Sequence, residues 1–336
     1  MTKSRYGSSL MCVVKNRRYI RMLDAAVIFP GQGSQAVGMG KDLADNFQAA
    51  RDVFEQVDDV LHARLSKLIF EGPLDDLTQT RNTQPALMAM SMAVVKVLES
   101  ELGKPIHEWV SLGAGHSLGE YSALTAAGAL SLEQAGQLLR LRGDAMQSAV
   151  PEGEGAMAAL IGGTIEQAES LCTEVQHLGV CMIANDNSNE QQVMSGLKAA
   201  VEQACLQASS LGFKRAIPLN VSAPFHSSLM EPAAQVMKEA LEEIAGAPLT
   251  FPIIANVTAE LTEEWLNFQK LLVLQVTGRV RWRETLLKLR QEGIATCYEL
   301  GAGKVLAGLA KRTVPDLVVK SIGTAEEIKE FVSNFK

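Results

Sequence analysis

The stretch WVSLGAGHSLGEYSALTAAGAL, Trp109 to Leu130, decides how this chain folds. The apolar run Trp109 to Leu112 reads as a strand, Gly113-Ala114-Gly115 as a tight turn, and the Ala- and Leu-rich residues after His116-Ser117-Leu118-Gly119 as a buried helix. The pattern G-x-S-x-G, Gly115 to Gly119, sets a serine hydroxyl on a strained corner whose flanking glycines leave room for close backbone approach. Alone the pattern is weak, and several hydrolase classes share it. The flanking elements and distant partners carry the argument further.

Upstream, Ala25 to Phe29 reads as a short strand closed by Pro30, followed by the glycine-rich loop Gly31 to Gln35. Gly31, Gly33 and Ala36 formally match a dinucleotide-binding fingerprint, but that motif needs a second strand ending in an acid about 20 residues on. Asp52 to Leu65 instead has helical spacing, with Val53, Val57, Val60 and Leu61 apolar. Short helices broken at Gly72-Pro73 and a long apolar helix from Gln84 to Leu102 follow, with Met88, Met90 and Met92 read as core filling. Beyond the elbow, Ser131 with Gln134 reads as a capping box opening a helix to about Ser148; Arg140 and Arg142 lie in its C-terminal half, where solvation and the helix dipole are the plain reading.

From Gly155 to Leu219 the order changes to β-α-β-β-α-β, the ferredoxin-like arrangement, with strands at Ala156–Ile161, Val180–Ala184, Gln192–Ser195 and Lys214–Leu219. After it come a helix near Leu229–Ile244, a strand at Pro252–Ala255, helices at Thr262–Gln275 and Trp282–Gln291, a strand at Thr296–Leu300 and a last helix after Gly303. The expected fold is α/β: a large α/β-hydrolase-like domain with a mainly parallel sheet, formed by residues 24–150 and 220–336, plus an inserted ferredoxin-like subdomain, 151–219. Residues 1–23 form a basic N-terminal extension: Lys3, Arg5, Lys15, Arg17, Arg18 and Arg21 with no acid. A targeting peptide, a disordered arm and sequence upstream of a start at Met22 all fit it.

The 336 residues, 47% of them hydrophobic, supply a substantial core, and a formal net charge of -7 argues against a general nucleic-acid binder. No apolar run reaches the roughly 18 residues of a membrane span. Cys12, Cys172, Cys181, Cys205 and Cys297 show no C-x-x-C pair and no zinc-like spacing, the pattern of scattered reduced thiols. The expectation is a cytoplasmic monomer, with an organelle matrix as the alternative if the basic segment is a transit peptide.

A serine needs a base to take its proton, and histidine suits that task near neutral pH. His62, His107 and His177 lie where surface or satisfied-core placement is the plainer reading, and the side chain of His116 should point away from Ser117 on a sharp turn. His226 remains, in the loop Val221 to Ser228, where an ordinary loop histidine is the competing reading.

FPGQGSQ at Phe29–Gln35, QPAL at Gln84–Leu87, GHSLGEYSAL at Gly115–Leu124, Arg142-Gly143 with Met146-Gln147, FHS at Phe225–Ser227 and GKVL at Gly303–Leu306 occur in one order. Together, over about Ala25 to Val318, they closely resemble the malonyl-CoA:acyl carrier protein transacylases of fatty acid synthesis. The resemblance implies Ser117 as nucleophile and His226 as the base that later serves as acid, a dyad needing no aspartate. It implies that Arg142 holds the free malonyl carboxylate, a role for which a guanidinium fork is well shaped. It implies an oxyanion hole from the backbone N–H groups of Gln32 and Leu118, and a histidine-orienting carbonyl at Gln275. Phe225 matches an aromatic position associated with preference for malonyl over methyl-branched units, with loop packing as its plain alternative. The substrates would be malonyl-CoA and phosphopantetheinylated acyl carrier protein, with no bound cofactor and no metal. Carrier proteins are acidic, so this acidic chain would need a local basic surface for that partner.

The chain departs from the family pattern at Asn189, where Asn-x-Asn-x-Pro has proline, at Ala302, where Gly-Pro-Gly-Lys has proline, and around Gln275, which lacks Tyr-Asn-Pro. Two rival readings are a serine hydrolase, which would pass the acyl group to water, and a noncatalytic carrier-protein docking module, which would form no acyl-serine. Arg142 argues against the first, and the joint presence of Ser117, His226 and Arg142 against the second.

Overall fold

The structure is a computed structural model that describes residues 24–221 and 223–335. The basic segment 1–23 and Cys12 lie outside the described residues. The strands are β1 (Ala25–Phe29), β2 (Leu112–Gly115), β3 (Gly155–Ile161), β4 (Cys181–Ser188), β5 (Gln191–Leu197), β6 (Arg215–Pro218), β7 (Ile253–Ile254), β8 (Leu261–Thr262), β9 (Thr296–Leu300) and β10 (Val318–Ile322). They form a six-stranded sheet in the order β10-β9-β1-β2-β7-β8 and a four-stranded sheet in the order β4-β5-β3-β6.

The large sheet is parallel except where β8 runs back against β7. Its central strand β1, Ala-Ala-Val-Ile-Phe, is buried throughout, as a parallel strand covered on both faces must be. Alternation divides its side chains between two cores. Val27 and Phe29 join the helices Gln48–Leu61, Thr80–Leu102 and Leu132–Ser148 on one face, while Ala26 and Ile28 meet Trp282–Gln291 and Val305–Thr313 on the other. β1 pairs with β2 on one side and β9 on the other, so strand order reverses at β1. The crevice beyond the carboxyl ends of β1 and β2 is where such sheets place ligands. The Gly31–Gln35 loop and the Ser117 elbow both leave the sheet there.

The small sheet is antiparallel, and its order is that of the ferredoxin-like arrangement. Ala158, Leu160, Ile183 and Met194 pack with the helices Ile165–Glu174 and Lys198–Gln207. Met157, Ala159, Ala184 and Val193, on the other face, belong to the main core. The small sheet therefore forms a wall over the crevice, tied down where Val280 N–H donates to Ala184 O at 2.8 Å and Asp186 N–H donates to Val280 O at 2.9 Å.

Several boundaries differ from the sequence reading. Strand β2 begins at Leu112 and contains the glycines; Trp109 instead ends a short 3-10 turn and packs against Tyr298, Phe331 and Phe335. Strand β4 continues through Asn185, Asp186 and Asn187, a stretch too polar to read as strand, with irregular pairing at Ile183/Asn185 and Asp186/Ser188. The helix after Gly303 is not the last element: β10 and the helix Ala325–Phe335 follow it. As an edge strand with Val318 and Lys320 exposed, β10 shows no continuous apolar run. The Ser131–Gln134 capping box is present, and Met88, Met90 and Met92 lie in the core.

Candidate active site

Ser117 turns the chain from β2 into the helix Gly119–Ala126 with φ 52°, in the left-handed region. Bare backbone on either side makes the turn possible. A Cβ on Gly115 would lie 1.9 Å from Gly119 O, and one on Gly119 would lie 2.3 Å from Phe29 O. A left-handed L-residue costs about 1–2 kcal/mol, and Asn256 braces it: Oδ1 accepts from Ser117 N–H at 2.8 Å while Nδ2 donates to Gly115 O at 2.7 Å.

Ser117 Oγ lies 2.8 Å from His226 Nε2, and His226 Nδ1 lies 2.8 Å from Gln275 O. A carbonyl only accepts, so Nδ1 carries the hydrogen and Nε2 keeps a lone pair facing the serine hydroxyl. Burial, and then the positive charge of Arg142, push the His226 pKa down to about 3. The imidazole is neutral at pH 7 and free to take a proton.

Arg142, 1% exposed, faces inward and not toward solvent. Nη2 donates to Ser117 Oγ at 3.2 Å and to Gln275 Oε1 at 2.8 Å, and Nη1 donates to Gln84 Oε1 at 2.7 Å. The guanidinium carbon stands 5.8 Å from the Tyr121 ring centroid. Burial lowers its pKa from the ordinary arginine value, partly opposed by Tyr121 and Glu120. The next residue, Gly143, lets its helix touch the Thr80–Leu102 helix: a Cβ there would lie 2.6 Å from Arg81 Cα. That contact brings Arg142 and Gln84 side by side. Arg140, by contrast, is half-buried and donates to Asn82 Oδ1.

Gln32, Leu118 and Phe225 line the same pocket as Ser117, Arg142 and His226. Among the described residues, no acceptor engages the backbone N–H of Gln32 or of Leu118. His116 turns away from Ser117, pairing Nε2 with Asn187 Oδ1 at 2.9 Å, which ties the elbow to β4, and its ring lies tilted against Trp282 with centroids 5.5 Å apart. His62, His107 and His177 are exposed.

Three residues of this network carried no role in the sequence reading. Asn256 follows β7 at the carboxyl end of the sheet, a position where polar residues are suspect in themselves. Gln84 and Glu120 sat inside quoted motifs, but only the fold shows what they touch. Glu120 Oε1 accepts from Asn256 N–H at 3.0 Å, and Oε2 accepts from Gln275 Nε2. Burial pushes the Glu120 pKa up to about 7 despite these hydrogen bonds and Arg142.

A neutral histidine on a strained serine hydroxyl, with a buried guanidinium alongside, is suited to acyl transfer to and from an ester oxygen. Comparison with known proteins agrees. Residues 27–334 match the family described as Acyl transferase domain. The malonyl CoA-acyl carrier protein transacylase of Bacillus subtilis (strain 168) is 43% identical over 316 residues, 94% of this chain and 98% of that protein. The acyl-carrier-protein-S-malonyltransferase of Bartonella henselae superposes with a TM-score of 0.90 at 54% identity, covering 92% of this chain and 98% of that one. A malonyl-transacylase in complex with its type II PKS acyl-carrier protein superposes with a TM-score of 0.89 at 41% identity, covering 92% and 99%. With identity of this order along nearly the whole length, the chain belongs to the acyl transferase domain family, alongside the malonyl CoA-acyl carrier protein transacylases.

Proposed function

We propose that this protein moves a malonyl group from malonyl-CoA to the phosphopantetheine thiol of acyl carrier protein through a malonyl ester on Ser117, in fatty acid biosynthesis. His226 Nε2 takes the hydroxyl proton as Ser117 Oγ attacks the thioester carbonyl. The tetrahedral oxyanion lies against the Gln32 and Leu118 N–H groups, donors worth about 3 kcal/mol each where preorganised. The C–S bond breaks, and the CoA sulfur leaves with the proton from His226. The carrier thiol then gives its proton to His226 and attacks the ester carbonyl. As the C–O bond breaks, Ser117 Oγ takes the proton back. Written this way, the reaction uses no metal and no redox cofactor.

The observation that carries this reading is the Arg142 guanidinium 3.2 Å from Ser117 Oγ, where it meets the second carboxylate of a malonyl but has no counterpart in an acetyl. Gln275 O orients His226, and Phe225 bounds the acyl pocket against branched units. Intact-mass spectrometry after brief exposure to malonyl-CoA tests the reading: a malonyl adduct on the wild type and none on Ser117→Ala is expected. No adduct on the wild type, or water outcompeting carrier protein for the ester, overturns it.

The same reading extends to organisation. Residues 24–150 and 220–336 act as the catalytic domain and 151–219 as the subdomain that walls the acyl pocket. The enzyme works as a cytoplasmic monomer, a setting that suits the free thiols of Cys172, Cys181, Cys205 and Cys297. Among the described residues no helix is long and apolar enough to cross a membrane. A sedimentation mass near twice the 36.2 kDa of one chain would overturn the monomer.

A further inference from the structure

Glu120 is a buried ionisable group within hydrogen-bond reach of the site's own residues that malonyl transfer leaves without a task. It stands three residues after Ser117, 1% exposed, at the start of the helix Gly119–Ala126. Its carboxylate accepts from Asn256 N–H and from Gln275 Nε2. Gln275, fully buried, faces five partners: Nε2 also donates to Ser117 O at 3.0 Å and to Asn256 Oδ1 at 3.4 Å, Oε1 accepts from Arg142 Nη2 at 2.8 Å, and its backbone carbonyl holds His226.

A side-chain amide is two-faced, and a half-turn exchanges its acceptor for its donors. The Glu120 carboxylate, Ser117 O and Asn256 Oδ1 all accept, so the amide presents its NH2 to them, which leaves Oε1 for the guanidinium. Were position 120 a neutral acid or an amide, the charged one of these acceptors would be lost, and the flipped amide, with NH2 set against Arg142, donor against donor, would be opposed only by Ser117 O and Asn256 Oδ1. Arg142 also forms no direct ion pair among the described residues. Its buried charge is matched through one intervening amide dipole by Glu120.

We propose that Glu120 is a positioning residue: through the Gln275 amide it fixes the Arg142 guanidinium at Ser117, and so sets the preference for a carboxylated acyl group. The proposal rests on the malonyl-transfer reading above. It carries a pH signature. The ionisable groups around Glu120 are Arg142, on the facing helix, the neighbouring Tyr121 phenol, pushed up to about 12, and the His226 and His116 rings, both held below the ordinary histidine value by burial. Glu120, pushed up to about 7, is thus the member of this set that changes charge near pH 7, and its protonation removes the charged one of the three acceptors that hold the Gln275 amide.

The test compares kcat/KM for malonyl-CoA and acetyl-CoA, with the wild-type malonyl-serine adduct measured first. No wild-type adduct would overturn the transfer reading itself. Given the adduct, Glu120→Gln is expected to lower the malonyl-to-acetyl ratio about tenfold, mainly through KM for malonyl-CoA, since a charged hydrogen-bond partner is lost. An unchanged ratio would overturn the role of Glu120 alone. Should Glu120→Gln fail to fold, the wild type still decides. Its malonyl-to-acetyl ratio is expected to rise with an inflection near pH 7, and a ratio flat from pH 6 to 8 overturns the proposal.

Discussion

Ser117 and His226 meet at 2.8 Å, and each reaches that contact from a left-handed backbone, φ 52° and φ 56°. Strain at both partners of one hydrogen bond marks a pair held by its surroundings rather than by local preference. For Ser117 the holding contact is Asn256, and for His226 it is the carbonyl of Gln275.

If His226 is the base, His226→Ala should lower kcat by about 10²–10⁴-fold, the usual worth of a positioned proton acceptor. KM for malonyl-CoA should change little. Steady-state kinetics of transfer to carrier protein would measure both. A loss under tenfold would remove His226 from proton transfer.

The pH dependence follows from burial. A base works only when neutral, and His226 stays neutral until pH approaches about 3, whereas an exposed histidine would be half protonated at 6.5. Acetylation of Ser117 from acetyl-CoA, which presents no carboxylate to Arg142, should therefore hold its rate from pH 7 down to about 5 while circular dichroism remains native. A half-maximal rate near pH 6.5 would contradict the assigned environment of His226.

Arg142→Ala should reduce kcat/KM for malonyl-CoA by about 10–100-fold more than for acetyl-CoA, because hydrogen bonds between charged partners are each worth about 1.5–3 kcal/mol. Arg142→Lys should recover only part of the difference, a point charge replacing a planar fork. Equal losses for the two acyl groups would sink the carboxylate role.

Gly143→Ala offers a test whose sign is informative. In an ordinary helix interior the change is stabilising by about 1 kcal/mol. Here the new Cβ would lie 2.6 Å from Arg81 Cα, so overpacking should instead destabilise by about 1–3 kcal/mol and shift Arg142 away from Gln84. Urea denaturation together with the malonyl-to-acetyl ratio would show it, and a variant more stable than wild type would refute the close helix contact.

Local pattern was enough for the α/β alternation, the β-α-β-β-α-β order, the Ser131 cap and the serine corner, because each is written in the spacing of neighbouring residues. Boundaries slipped where burial and not periodicity sets them. The polar end of β4 pairs only because its asparagines face the pocket and the elbow, and the edge strand β10 alternates too weakly to stand out. The six dispersed motifs hold Ser117, His226 and Arg142, while the carbonyl of Gln275 came only from a segment that departs from the family pattern.

By itself, the sequence determined the fold class and the family resemblance and supplied the candidate groups for the chemistry, since residue type and spacing fix what a side chain is able to do. Only the tertiary structure decided how those groups act on one another. Gln84, Glu120, Asn256 and Gln275 converge from segments up to 191 positions apart (84 to 275) on the buried guanidinium of Arg142, the buried imidazole of His226 and the partly buried hydroxyl of Ser117. Hydrogen-bond direction within that enclosure sets the tautomer of His226, the orientation of Gln275 and the place of the Arg142 guanidinium. None of these is a property of any residue's neighbours along the chain.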